Sequence, residues 1–214
     1  MSVAGRHSGG TEAETKSAIE VAIRALHEAG LEPDQIVRSR IWARDTEARR
    51  QASDVRRAVL AGSIRGASAS FVDGARLPEY CTMMIDLVAL KTPGRTSGKI
   101  IGEYEPPAAP PEFVALDGMV FLSGNTDNSP DFDGQVGKVR GKIESGLRKA
   151  DAPWSKIVQV SAFVCIGLEQ NSARQQIAAR FGDLPCPVLT TGVAGFSSPE
   201  KLVEIEVTAD VRAS

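Results

Sequence analysis

The stretch "GLRKADAPWSKIVQVSAFV" (146–164) lies without a gap over "ALHEAGLEPDQIVRSRIWA" (25–43), 121 positions earlier. Leu147 stands opposite Leu26, Ala150 opposite Ala29, Ile157 and Val158 opposite Ile36 and Val37, and Phe163 opposite Trp42. In the first copy Ile19, Ala22, Ile23 and Leu26 share one helical face, and Gly30 suits a C-cap. Pro33 and Asp34 then turn the chain into a β-branched strand. With the offset reduced to 120, "EIEVTA" (204–209) lies over "MIDLVA" (84–89), which sets Glu206 opposite Asp86. The chain is therefore a degenerate tandem repeat.

Working outward, the first copy reads as helix, strand, helix, strand, strand. Its second helix starts at Thr46 in "TEARRQASDVRRAVLAG" (46–62), and its last strands are "ASASFVDGA" (67–75) and "TMMIDLVALK" (82–91). "KTPGRTSG" (91–98) is a linker, and "EPPAAPPE" (105–112) is an extended lead-in. The second copy adds a hairpin, "EFVALDGMVFLSGN" (112–125), turning at Asp117-Gly118. Shifting Gly124 back by the same offset lands on Val3, so the first copy is expected to begin at its first helix. A sheet without those two strands exposes an edge, which predicts an oligomer.

Composition bounds the function. With 214 residues, 42% of them hydrophobic, the chain is long enough for one large or two small cores. No run of about 18 apolar residues exists and the N-terminus lacks an apolar centre, so neither a membrane partner nor secretion is expected, and the location is read as cytoplasmic. Lys plus Arg number 25 against 27 Asp plus Glu, which gives no long-range pull on nucleic acid. The basic pairs in "ARR" (48–50) and "VRR" (55–57) read as a solvated helix face. Three cysteines without ligand spacing and two distant histidines point to no metal and no cofactor. Cys165 and Cys186 read as small buried side chains, and Trp42 and Trp154 as core or interface anchors.

The last strand, "KLVEIEVTAD" (201–210), alternates Glu204 and Glu206 with Val203, Ile205 and Val207. Two carboxylates on one strand face repel each other and resist burial. Either they face water or that face of the strand works with charge.

The segments "GKIIGEYEPPAAPPEFVALDGMVFLSGNT" (98–126), "IVQVSAFV" (157–164), "RFGDLPCPVLTTGVAGF" (180–196) and "LVEIEVTADV" (202–211) together resemble the YjgF or Rid family of reactive-intermediate imine deaminases. "GARLP" (74–78) is similar to the corresponding segment in the first copy. The resemblance implies an α+β fold of two tandem Rid-like (chorismate-mutase-like) domains, residues 10–92 and 98–214. Each is a mixed β-sheet with two helices on one face, and the N-terminal copy lacks the first hairpin. It further implies a homotrimer with a ligand cleft between adjacent domains, a small-molecule ligand, and hydrolytic deamination of a small imine or enamine.

For the site, the resemblance assigns water orientation to Glu206, with Asp86 as its weaker counterpart in the first copy. Val188 occupies the position of the family's substrate-binding arginine, and the first copy has Ala69 there. Arg174, on the second helix, is the expected replacement cation. Gly124 would let a ligand approach a strand end, and Thr190 would offer a hydroxyl to the cleft. Loss of the arginine keeps open a catalytically silent module that binds a metabolite or a partner protein.

Overall fold

The structure, a computed structural model, describes residues 1–4, 9–91, 98–107 and 110–212. The linker over 92–97, part of the proline-rich lead-in and the outer domain limits at 92 and 214 lie outside the described residues. The first unit runs β1 (Ser2–Ala4), α1 (Gly10–Glu28), β2 (Ile36–Ala43), α2 (Thr46–Val59), β3 (Ala67–Val72) and β4 (Met83–Ala89). The second runs β5 (Ile100–Gly102), β6 (Phe113–Leu116), β7 (Met119–Leu122), β8 (Asn125–Thr126), α3 (Phe132–Lys149), β9 (Ile157–Cys165), α4 (Gln170–Arg180), β10 (Val188–Val193) and β11 (Val203–Asp210).

Each unit packs its two helices on one face of a mixed sheet. The first sheet has the order β1-β4-β2-β3, with β2 and β3 parallel and β4 antiparallel to β2. The second repeats that centre as β10-β9-β11 and extends it through β7, β6 and β5. Ile19, Ala22 and Leu26 of α1 meet Ile41, Ile85 and Leu87 in one core. Val136, Val139 and Ile143 of α3 meet Val160, Ile205 and Val207 in the other. Aspartates fix where two helices start: Asp45 accepts from Ala48 N at 2.9 Å, and Asp131 accepts from Gly134 N at 2.8 Å. These side chains satisfy amides that have no intrahelical partner.

The hairpin forms where the sequence predicts it, with Asp117 and Gly118 at φ 47° and 74°, the left-handed pair that a two-residue turn needs. The first unit differs from expectation. It does not begin at its helix, because Ser2–Ala4 pair antiparallel with Met84–Asp86 and cover part of the edge that the missing hairpin leaves open. Cys165 and Cys186 are half-buried rather than buried.

What positions the site is how the units meet. Their helix-free sheet faces pack against each other within one chain. Trp42 and Phe71 of the first unit close on Phe163 and Phe196 of the second, with the Phe71 and Phe163 ring centroids 4.1 Å apart. Main-chain bonds cross the seam: Val72 N donates to Gly195 O at 2.9 Å, and Gly124 N donates to Ser68 O at 3.0 Å.

Candidate active site

The acidic face of β11 does not face water: Glu204 is 7% exposed and Glu206 1%. Opposite it, β2 presents Arg38 and Arg40, also two residues apart and on one strand face. Arg40 grips Glu206 from across the seam, its Nε at 2.9 Å and its Nη2 at 2.5 Å from Oε2. Arg38 Nε lies 3.6 Å from the same oxygen, while its Nη groups donate to Thr208 Oγ1 at 3.1 Å and Val207 O at 2.9 Å. A buried carboxylate thus carries two guanidinium partners, and the backbone around them takes up most of the remaining donors.

Glu204, one step along the same face, is treated differently. Among the described residues no group hydrogen-bonds its carboxyl. It borders a cavity of about 400 Å³ at the edge strand β3, between α2 and the second unit. Burial pushes its pKa up to about 8, the charge of Glu206 adds to this, and Lys201, Arg56 and Arg49 oppose it. The carboxyl occupies space that glycine leaves open at residue 124, since a Cβ there would fall 1.8 Å from Glu204 Oε1 and displace it. Ser123 locks that corner: its hydroxyl donates to Pro111 O at 2.6 Å and accepts from Ser68 N at 2.9 Å across the seam.

Six cations line the cavity, and three of them, Arg49, Arg56 and Lys201, form no ion pair with a carboxylate among the described residues. Arg49 Nη1 donates to Ser70 Oγ at 2.8 Å, and its buried Nε has no partner. Arg56 donates to Ala69 O at 2.7 Å, and burial brings its pKa down to about 10. Lys201 donates to Ser197 Oγ at 2.6 Å, and burial lowers its pKa. Tyr104 adds a phenol within electrostatic reach. Burial, then the charges of Glu112 and Glu204, push its pKa up to about 12.

The structure brings two of the five sequence-derived site residues to this neighbourhood: Gly124 lines the cavity, and Glu206 lies behind its carboxyl in the ion-pair network. Asp86 accepts from Trp42 Nε1 at 2.7 Å, away from the cavity lining. Arg174 is exposed on α4, and its Nε donates at 2.7 Å to Thr190 Oγ1 on β10, the outer strand of the sheet. The "ARR" and "VRR" pairs are only half solvated. Arg50 and Arg57 face outward and pair with Glu47 and Asp54, whereas Arg49 and Arg56, seven apart and so on one helix face, turn inward. The missed signal was the R-S-R spacing of "IVRSRIWA" (36–43), which matches the E-I-E spacing of β11. Among the described residues no His, Cys, Asp and Glu cluster is placed to hold a metal. No described helix is long and apolar enough to cross a membrane.

No protein-family model matches the chain, and neither does any curated protein sequence. Solved structures do. A chorismatase superposes on 97% of this chain and 73% of its own, with TM-score 0.65 and 15% identity. The two units share the fold of that chorismatase. A YjgF/YER057c/UK114-family protein of Mycobacterium tuberculosis covers 53% of this chain and 100% of its own, at 22% identity and TM-score 0.48. A Rid-family protein of Yersinia pestis covers 53% and 100%, at 24% identity and TM-score 0.47. The chain is similar to structures of the YjgF/Rid family over about half its length, and the fold of its two units together is that of the chorismatase.

Proposed function

We propose that this chain is a hydrolase that deaminates a small anionic imine or enamine, with Glu204 as its acid. One observation carries the reading: a buried carboxyl that no donor reaches, its pKa pushed up to about 8 by burial, borders a cavity together with three cations that form no ion pair among the described residues. An imine nitrogen gains electrophilic character at its carbon when it accepts a proton, and a neutral carboxylic acid is the group that supplies one. An enamine reaches the same iminium by taking the proton on its β-carbon. Water then adds to that carbon as Glu204, now a carboxylate, takes the proton that water loses. Collapse of the carbinolamine expels ammonia and leaves the carbonyl, so that C=N and H₂O become C=O and NH₃.

The guanidinium groups of Arg49 and Arg56 supply from α2 the anion contact that Val188 does not make on β10. The water-orienting part, expected of Glu206, falls to Glu204 here, because Glu206 is held by Arg40 and Arg38. Ammonia release from imines generated by an amino-acid oxidase tests the reading. Wild type should accelerate release, and Glu204→Gln and Gly124→Ala should each lose at least about 100-fold while remaining folded. Full activity in Glu204→Gln would end it.

The likeness to a chorismatase over both units favours a second reading, in which the same acid protonates the enol-ether carbon of chorismate. Consumption of chorismate, followed by its ultraviolet absorbance, separates the two. Absence of turnover in both assays leaves a binding module.

A further inference from the structure

The cations around the cavity differ in whether their charge is answered. On its rim Arg50 pairs with Glu47 and Asp54, Arg57 with Asp54, and Arg65 with Glu103. Inside, among the described residues, Arg49, Arg56 and Lys201 donate only to hydroxyls and carbonyls. Glu204 with its proton on cancels none of this charge, and ionised it cancels one of the three. Three positive charges in a partly desolvated space repel one another: burial lowers the pKa of Arg56, the Glu204 charge opposes this, and Arg49 and Arg57 lower it further. Folding tolerates such an arrangement at a functional site when a ligand completes it. The unpartnered buried Arg49 Nε, and the unpartnered Ser53 Oγ beside it in the cavity wall, are further groups that a ligand would satisfy.

We propose that the ligand of this cavity carries two separate anionic groups, as a small dicarboxylate does. The inference rests on the reading of the cavity as a substrate site. A monoanion leaves two of the three charges unanswered, whereas a dianion leaves one. The cations also come from both units, Arg49 and Arg56 from α2 and Lys201 from the approach to β11, so a ligand with two anionic groups meets positive charge on both sides of the seam. Glu204 borders the same space, and Pro110, Pro111 and Leu60 supply apolar wall for the carbon skeleton.

Calorimetric titration of the full chain at pH 7 and low salt tests this, with succinate and phthalate against their monomethyl esters. The diacids should bind at least about tenfold more tightly than the esters. Arg49→Gln and Arg56→Gln should each weaken the diacid by about tenfold or more. Arg49→Lys, which keeps the charge, should retain the preference even if Arg56→Gln fails to fold. Lys16→Gln removes the same charge from the exposed side of α1 and should change nothing. Equal binding of diacid and ester, no binding of either, or an equal loss in Lys16→Gln would overturn the proposal. Diacid binding without turnover of any imine or chorismate keeps it and removes the hydrolase reading. Turnover of monoanionic imines with no preference for diacids does the reverse.

Discussion

Glu204 and Glu206 occupy the same face of one strand, two residues apart, and are buried to a similar degree, yet the molecule uses them in opposite ways. The Glu206 carboxylate is fully answered: Arg40 holds both its oxygens and Arg38 lies behind them. Around Glu204 the cations stand off across a cavity, and the cheapest way to bury the carboxyl is to keep its proton. The difference teaches that burial alone does not set the state of an acid. What decides it is whether donors reach the oxygens.

The largest effect should come from breaking the paired region. Glu206→Gln leaves Arg38 and Arg40 buried at the seam without a carboxylate, at a cost of about 3–5 kcal/mol. For a chain of this size that lowers the melting temperature by roughly 2–4 °C per kcal/mol, read by calorimetry. A melting point within a degree of wild type would mean that water answers those guanidinium groups.

A smaller and pH-dependent effect belongs to the unpaired region. Folding raises the pKa of Glu204 from 4.5 to about 8, so the folded state binds the extra proton between those values. Its stabilising contribution is complete below about pH 4.5 and is lost as pH rises to about 8. The slope of unfolding free energy from this group approaches about −1.4 kcal/mol per pH unit. In Glu204→Gln that slope should vanish, as denaturant midpoints at pH 5, 6.5 and 8 would show. An identical slope in the variant would place the titration elsewhere.

The smallest effect sharpens the comparison by exclusion. Arg174→Ala breaks only a hydrogen bond between an exposed arginine and Thr190, and should change stability by less than about 0.5 kcal/mol and leave catalysis intact. A hundredfold loss of turnover would return the site to the outer strand, where the family resemblance puts its cation.

Much of the fold was legible because it follows local rules. The helix start at Thr46 and the Asp117-Gly118 turn stand where periodicity and turn chemistry put them, and the last strand, read over 201–210, runs Val203–Asp210. The strand Ser2–Ala4 was not legible, since three residues without alternation or a turn signal become a strand only by finding a partner in β4. In the site, Gly124 was recognised at a strand end, but its reason, room for the Glu204 carboxyl, depends on a side chain 80 positions away. Arg49 and Arg56 carried a helical spacing that marks one face, and nothing in that spacing says whether the face meets water or a second sheet.

By itself the sequence determined that the chain repeats, that each copy pairs helices with a mixed sheet, and that the final strand sets two carboxylates on one face. Periodicity and capping act over a few residues, and that is why these features could be read directly. Only the tertiary structure decided which carboxyl is ion-paired and which is buried with no donor reaching it. That choice depends on which cations the packing of one sheet against the other brings within hydrogen-bond distance, and electrostatic energy in a dry seam changes steeply over a few ångströms.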